Sequence, residues 1–269
     1  MIKICKFCGE KNFKQSFLYL KKPLKETDFG ISKKNYKRSY ASCKKCNHFY
    51  SISNIRLEDF YSKDYNSHTY GKRLFSTFKK IVNLPKRKSD NQLRISRVKN
   101  YLNSIRKKKM KKIKFIDIGS GTGVFPYVLK KEGYDCVALD PDLNVTSHLK
   151  RNLKLKTITG DFMKKKIKQK FDAITLNKVI EHVEDPINFL RKAKKILKPQ
   201  GFIYLEVPDG PGAAKHGKYR EEFYIEHLHV FSKKSVNFLA KKLLLKPKQI
   251  KRIREPSNKF SIFAFLEKK

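Results

Sequence analysis

The stretch Lys114-Phe-Ile-Asp-Ile-Gly-Ser-Gly-Thr-Gly123 constrains this chain more than any other. Apolar β-formers carry one acidic residue, Asp117, after which Gly119, Gly121 and Gly123 alternate with Ser120 and Thr122. A helix-like segment, Val124 to Lys131, follows at once. Strand, glycine turn and helix in that order open a nucleotide-binding βαβ unit, with the ligand over the carboxyl end of the strand. A dinucleotide loop requires G-x-G-x-x-G, and neither frame supplies it. The third glycine would fall at Val124 in one and at Pro126 in the other. A P-loop requires Gly-Lys-Ser/Thr, which is absent. The plain alternative is a glycine turn in some other α/β protein.

Downstream, strand and helix signals alternate. The first helix ends near Gly133, and a second strand, Cys136 to Asp140, closes on a carboxylate. An acid at that spacing from the glycine loop reaches a ribose and accepts from both hydroxyls; capping the next helix is its plainer role. Lys156 to Thr159 reads as a third strand leading into Gly160-Asp161-Phe162, and Phe171 to Asn177 as a buried fourth. A helix starts at Pro186, a good first-turn residue, and runs to Leu197. Lys198-Pro-Gln-Gly201 then turns into a fifth strand, Phe202 to Val207. Ser232 is placed to cap a helix over Val236 to Leu244, and Gln249 to Ile253 and Phe260 to Leu266 complete seven strands. Upstream, Leu93, Ile95, Val98, Tyr101, Leu102 and Ile105 give Asp90 to Ile105 the period of an amphipathic helix.

The N-terminus is a different object. Cys5-Lys-Phe-Cys8 and Cys43-Lys-Lys-Cys46 are two C-x-x-C knuckles separated by a β-rich, polar stretch. Four thiolates so paired can close a tetrahedron around a structural zinc ion, with a redox pair or unmetallated thiols as alternatives. Gly9 and Asn47 follow the knuckles and suit their tight turns, while His48 is a spare donor that a fourth cysteine makes unnecessary. Cys136 lies in an apolar strand and reads as core. The expected organisation is a zinc ribbon over 1–56, a helical linker or cap over 57–112 and an α/β domain over 113–269. Tyr61, Tyr65 and Tyr70 in the linker would line a substrate pocket or pack between the two parts.

A chain of 269 residues with 39% hydrophobic content can support such a core. Its apolar runs are far shorter than the roughly 20 residues a membrane span requires, and Cys5 and Cys8 stand where a signal peptide would be apolar. The expectation is a cytoplasmic protein of undetermined oligomeric state. Sixty-four lysines and arginines against 24 acids give a net charge of +40, which points to an anionic partner. The cations are spread along almost the whole chain, with blocks at Arg106 to Lys114 and Lys164 to Lys170 that lack interleaved aromatics. A lysine-biased surface, a nucleic-acid footprint and an anionic small substrate all remain open.

The glycine loop after an acidic strand resembles the first motif of class I S-adenosylmethionine-dependent methyltransferases. Phe171-Asp-Ala-Ile, Glu181-His-Val-Glu-Asp-Pro186 and Leu197-Lys-Pro-Gln-Gly201 are similar to later motifs of that superfamily in order and spacing, Gln200 replacing the usual glycine. The resemblance implies a Rossmann-like, seven-stranded, mostly parallel sheet preceded by a small ribbon. It implies S-adenosylmethionine held by Asp117, Gly119, Ser120, Gly121, Gly123, Asp140, Pro141, Asp161, Phe162 and Asn177. Asp140 would serve the ribose and Asp161 the adenine amino group. The segment Glu226-His-Leu-His-Val-Phe-Ser232 resembles one in zinc-ribbon methyltransferases of glycan and natural-product pathways, including sugar C-methyltransferases. In ubiquinone-pathway O-methyltransferases a related loop binds a divalent metal through E-x-x-E-H. Here Lys178 stands at the first position, a cation that argues against catalytic metal.

Methyl transfer is an in-line displacement at a sulfonium, so alignment and exclusion of water dominate. An oxygen or carbon nucleophile also needs a base, and His182, His227 and His229 fall at the carboxyl-end face of the sheet; each could instead orient a loop or pack inward. The expectation is methylation of a small molecule, foremost a nucleotide-linked sugar or glycan precursor. An RNA methyltransferase and a non-catalytic cofactor-binding scaffold are the rivals.

Overall fold

The computed structural model describes residues 2–31, 36–55, 73–105 and 113–268. Its centre is a seven-stranded sheet of β4 (Lys114–Ile118), β5 (Asp135–Asp140), β6 (Lys156–Thr159), β7 (Phe171–Asn177), β8 (Leu197–Pro208), β10 (Leu245–Arg254) and β11 (Phe260–Lys268). The order is β10-β11-β8-β7-β4-β5-β6. Pairs from β8 to β6 are parallel, and β11 runs antiparallel to both neighbours. This is the α/β class and the mostly parallel sheet expected. The chain winds outward from β4 through β5 to β6, then returns to place β7 on the other side of β4. Such a reversal opens a crevice at the carboxyl ends of the two central strands.

Helices cover both faces. On one, α2 (Asp90–Ile105) and α3 (Val124–Lys131) lay Val98, Leu102, Phe125 and Leu129 over Phe115, Phe202, Tyr204 and Phe265. On the other, α5 (Pro186–Ile196) and α7 (Lys233–Lys242) bury Leu190, Ala193, Val236 and Leu239 against Ile116, Ile174 and Leu205. Two further helices, α1 (Leu74–Val82) and α4 (Leu143–Arg151), close the β5–β6 side through Phe78, Val145 and Leu149. The cap chemistry read from sequence is present. Asp185 accepts from Ile187 and Asn188 ahead of Pro186, and Ser232 accepts from the Ser235 amide. A reciprocal Ser235 bond completes a capping box, so α7 begins at Lys233 rather than Val236. The linker tyrosines Tyr61, Tyr65 and Tyr70 lie outside the described residues.

The N-terminal strands β1 (Phe13–Tyr19), β2 (Arg38–Cys43) and β3 (Phe49–Ser53) form an antiparallel sheet, but residues 1–56 do not complete it alone. Its fourth strand is β9 (His229–Val230), which arrives from the other end of the chain to pair Tyr50 with His229 and Phe49 with Val230. A two-residue strand has no detectable period, so this join is invisible in sequence. Side chains reinforce it. Arg38, wholly buried, donates to Glu26 at 2.6 Å, to the Tyr36 hydroxyl and to the Phe223 carbonyl, while Glu26 also accepts the Ile225 amide. Tyr40 donates to the His227 carbonyl at 2.5 Å.

Two local features have energetic consequences. Phe171 faces Leu197 and Ala173 faces Phe202, so the turn at Lys198–Gly201 loops out of the β7–β8 ladder. Within it Gln200 sits at φ +60°, the left-handed region that explains why glycine is usual there. Glu206, near the carboxyl end of β8, is fully buried and accepts from Arg94 at 2.5 Å and Arg97 at 2.8 Å, both on α2. Burial alone would raise its carboxyl, but the charges of Arg94, Lys178 and Arg97 outweigh that and hold it well below the usual carboxylate range.

Gln200→Gly should raise stability by about 0.5–1 kcal/mol in urea titration, relief of the left-handed penalty exceeding the entropy of the added glycine. Glu206→Gln should cost about 3–5 kcal/mol at neutral pH, because it strands two buried guanidinium groups. A folded carboxyl held low contributes stability above its ordinary value of 4.5 and loses it as pH falls below that. The variant's melting temperature should therefore differ most from wild type at pH 7 and converge toward it in acid.

Candidate active site

The glycine loop is built to let something approach the backbone. Gly119 at φ +75° and Gly123 at φ +78° occupy left-handed conformations, and a Cβ on Gly119 would lie 2.7 Å from Val179. Gly119 and Ser120 donate backbone amides to the Leu139 carbonyl, and the Gly160 amide bonds that of Asp140, tying together the ends of β4, β5 and β6. Asp140 is buried; one oxygen accepts the Gly121 amide at 2.9 Å and the other the Asp142 amide at 3.1 Å. Its carboxylate thus bridges the glycine loop and the start of α4. Pro141 is exposed beside it, and the helix cap falls to Asp142, which accepts from Asn144 and Val145.

Asp117 lies deeper. Thr175 donates to it at 2.6 Å and Asn177 at 3.1 Å, linking β4 to β7 across the crevice. Burial raises its carboxyl to about 6 against those hydrogen bonds. Asn177 Nδ2 is spent on this contact, while its Oδ1 is buried with no hydrogen-bond partner among the described residues. An orphan acceptor at a strand tip is costly and calls for a donor from a ligand. Asp161 is exposed and turns one oxygen onto the Met163 amide at 2.8 Å. Phe162 is buried against Phe189, ring centres 4.9 Å apart.

Past Asn177 the backbone is strained. Lys178, at φ +59°, donates its amide to the Glu206 carbonyl and its ammonium to Ser261 at 2.6 Å. Burial lowers its pKa. Glu181 and His182 follow on this loop, and His227 joins them from the segment after β8. One donor atom from each lies within 4.8 Å of the others. His182 Nδ1 bonds the Glu226 carbonyl and His227 Nδ1 the Glu222 carbonyl, both at 2.9 Å, and their rings lie 4.9 Å apart. Glu181 is fully buried, and neither of its oxygens has a hydrogen-bond partner among the described residues. In sequence it matches, with His182, the E-x-x-E-H metal motif that Lys178 argues against, and sequence reasoning gives it no other role. The available signal was an acid between the apolar Val179-Ile180 and a histidine.

His229 stands apart from this pair. Its Nδ1 contacts His48 Nε2 at 3.1 Å and its Nε2 the Glu184 carbonyl at 3.4 Å, while His48 Nδ1 meets Ser235. Both histidines are occupied in joining the two sheets. Nearby, Cys5, Cys8, Cys43 and Cys46 converge, with sulfurs 3.6 Å apart between Cys5 and Cys46 and 3.5 Å between Cys8 and Cys43. Those separations are far beyond a disulfide and near the ~3.8 Å edge of a tetrahedral zinc–thiolate site. Gly9 and Asn47 sit at φ +77° and +56°, donating back to the Cys5 and Cys43 carbonyls as knuckle turns require. The donor set fits a structural zinc ion.

Comparisons with known proteins agree with this architecture. The chain is 25% identical over 125 residues to a ubiquinone biosynthesis O-methyltransferase of Actinobacillus pleuropneumoniae, a match covering 42% of this chain and 51% of that protein. It thus spans about half the length of the curated relatives it matches. Magnesium protoporphyrin IX methyltransferase of Synechocystis superposes with a TM-score of 0.61 at 11% identity, covering 79% of this chain and all of that one. The 1,6-didemethyltoxoflavin-N1-methyltransferase of Burkholderia thailandensis gives 0.58 at 13% identity, covering 86% and 95%. Both solved structures contain S-adenosylhomocysteine. A family model described as a methyltransferase domain matches residues 88–243, which begins at α2 and ends with α7. By that match, more than half its length, the chain belongs to the methyltransferase domain family.

Proposed function

We propose that this chain transfers a methyl group from S-adenosylmethionine to a small, anionic acceptor, foremost a nucleotide-linked sugar or glycan precursor. The observation that carries the reading is the convergence of Gly119–Gly123, Asp140 and Asn177 on one crevice, with a buried acceptor atom on Asn177 left for a ligand. Bound there, the cofactor supplies an electrophilic methyl on a sulfonium. Asp140 accepts from the ribose hydroxyls, and Asn177 Oδ1 accepts from the amino group of the methionine moiety. Asp161 and Phe162 border the adenine. The acidic partner of the ribose also carries much of the affinity, since hydrogen bonds to a charged group contribute about 1.5–3 kcal/mol.

The charge expected of the acceptor follows from a cleft beyond the end of β8, whose lining is separate from the glycine loop. A cleft of about 350 Å³ next to the end of β8 is lined by Lys215, His216, Arg252, Arg254 and Phe260, with Asp209 paired to Arg252 at 2.6 Å. His216 lies flat against Phe260, centres 4.7 Å apart. Cations around an aromatic floor suit a phosphorylated or carboxylated molecule. His182 and His227 face the methyl-transfer position in this reading, and His229 positions the loop. Zinc in the cysteine site would fix the N-terminal sheet, whose β3–β9 pairing and Tyr40 contact hold the segment bearing His227.

Incubation with methyl-labelled S-adenosylmethionine and a panel of nucleotide-linked hexoses should yield a product heavier by one methylene in mass spectrometry. Transfer only into RNA would reject the acceptor class. In calorimetry Asp140→Ala should weaken S-adenosylhomocysteine by at least about tenfold in protein that remains folded, its melting temperature lowered by loss of the Gly121 and Asp142 amide contacts; unchanged affinity removes the ribose assignment. Purified protein should carry zinc in a 1:1 ratio by elemental analysis. Stripping it with a chelator, or Cys43→Ser, should lower the melting temperature, whereas metal-free protein of full stability would reject a structural ion.

A further inference from the structure

We propose that Glu181, His182 and His227 form one proton-accepting cluster that ionises a hydroxyl group of the methyl acceptor, with Glu181 as the group that takes the proton. The inference rests on the methyltransferase reading and adds to it the base and the kind of atom methylated.

The starting observation is an expense without a structural return. Glu181 is 0% exposed and neither carboxylate oxygen has a hydrogen-bond partner, yet a buried carboxyl without one costs several kcal/mol. Glu206 and Glu26, equally hidden, are each held by arginine. Glu181 instead sits within 4.8 Å of a ring nitrogen of His182 and of His227. Those rings have fixed tautomers. Each Nδ1 is 2.9 Å from a backbone carbonyl, which only accepts, so Nδ1 carries the proton and Nε2 is a lone-pair acceptor in the neutral ring. Burial keeps both rings neutral, pushing His182 down to about 4 and His227 well below its ordinary value. Both Nδ1–H groups are thus committed to backbone carbonyls, and no hydrogen bond reaches the Glu181 carboxylate among the described residues. The proton it is shaped for comes from outside.

The same burial raises Glu181 to about 7, so near neutral pH its carboxylate is a stronger base than an exposed one. Around it stand Lys178 on its own loop, Arg94 from α2 and Glu206 from β8; His227 also faces Lys259, and Glu226 flanks His182. Lys178 and Arg94 moderate the rise and favour the anion once the proton has left. The buried ammonium of Lys178 bears on all three members, which disfavours a divalent cation at the same spot.

Such a base serves an oxygen or a carbon nucleophile, and of the two a hydroxyl is the stronger acid and the one a carboxylate is suited to ionise. A neutral amine attacks with its own lone pair and sheds its proton afterwards, whereas a hydroxyl oxygen must lose its proton as its bond to carbon forms. In the step inferred here the acceptor O–H gives its proton to Glu181 while the oxygen displaces sulfur from the methyl carbon. The C–S electron pair leaves with the sulfur, which becomes a neutral thioether, and the proton passes to water after product release.

The test follows histidine ring signals by NMR in full-length, isotope-labelled protein with S-adenosylhomocysteine bound, between pH 5 and pH 9. Both His182 and His227 should show the Nδ1–H tautomer and a common inflection near pH 7, and Glu181→Gln should abolish that inflection while S-adenosylhomocysteine still binds. Ring signals that titrate alike in the two proteins, or an Nε2–H tautomer, would overturn the proposal. So would Mg²⁺ or Zn²⁺ binding that perturbs both rings. Should the Gln variant not fold, the wild-type titration decides, since lack of a common inflection is equally fatal. Failure of wild-type protein to bind S-adenosylhomocysteine would instead strike the methyltransferase reading on which this rests.

Discussion

Burying a carboxylate is costly, and how this protein meets that cost separates its scaffold from its chemistry. Glu206 is compensated by two guanidinium groups from α2, which fastens the helix preceding the first parallel strand over the carboxyl end of β8. Glu26 is compensated by Arg38, and the same arginine reaches the segment after β8 through the Phe223 carbonyl. In both places the charge pair fixes one element relative to another, at the expense of desolvating both partners. At Glu181 no arginine pairs with the carboxylate, which lies within 4.8 Å of a ring nitrogen of each of His182 and His227. Unrelieved desolvation is what raises a carboxyl toward neutral pH, and a site for proton transfer needs that shift.

The N-terminal sheet is thereby more than an appendage. It borrows His229 and Val230 as an edge strand, and its Tyr40 holds the His227 carbonyl. His48 and His229 continue the contact inside, next to Phe7 and Phe231, so the cysteine knuckles share an apolar core with α5 and α7. A change in the knuckles would be felt at His227 through a handful of backbone pairings. This gives a structural ion, remote from the crevice, a physical route to the chemistry.

Much of the α/β fold was legible because its signals are local. The glycine loop, the acids ending β4 and β5, the Pro186 start and the Ser232 cap each depend on a few adjacent residues. The start of β8 was legible too, and Gln200 shows why: its backbone keeps the left-handed geometry even with a side chain attached. What escaped reading depends on distance along the chain. Nothing near Glu26 announces Arg38, and nothing near Glu206 announces Arg94. Among the candidate histidines, type and position were equivalent for His227 and His229, two residues apart. His227 lies ahead of the two-residue strand, where its ring meets His182, whereas His229 is inside the strand and meets His48. Only the pairing of β9 with β3 decides which is which.

The formal charge of +40 gains meaning from the same contrast. Most described lysines lie on the surface, but a few cations turn inward: Arg38 between the sheets, Arg94 and Arg97 from α2 onto Glu206, and Lys178 near Glu181. Lys178 is the instructive case. Its strained backbone turns the loop so that the ammonium reaches Ser261 while Glu181 and His182 face His227. A positive charge buried there stabilises Glu181 as an anion without donating a hydrogen bond to it, so the carboxylate keeps its basicity and its lone pairs. A direct salt bridge would have neutralised both, as Arg94 does for Glu206. How a cation meets a buried acid thus separates a fixed pair, as at Glu206, from a carboxylate whose lone pairs stay open among the described residues, as at Glu181.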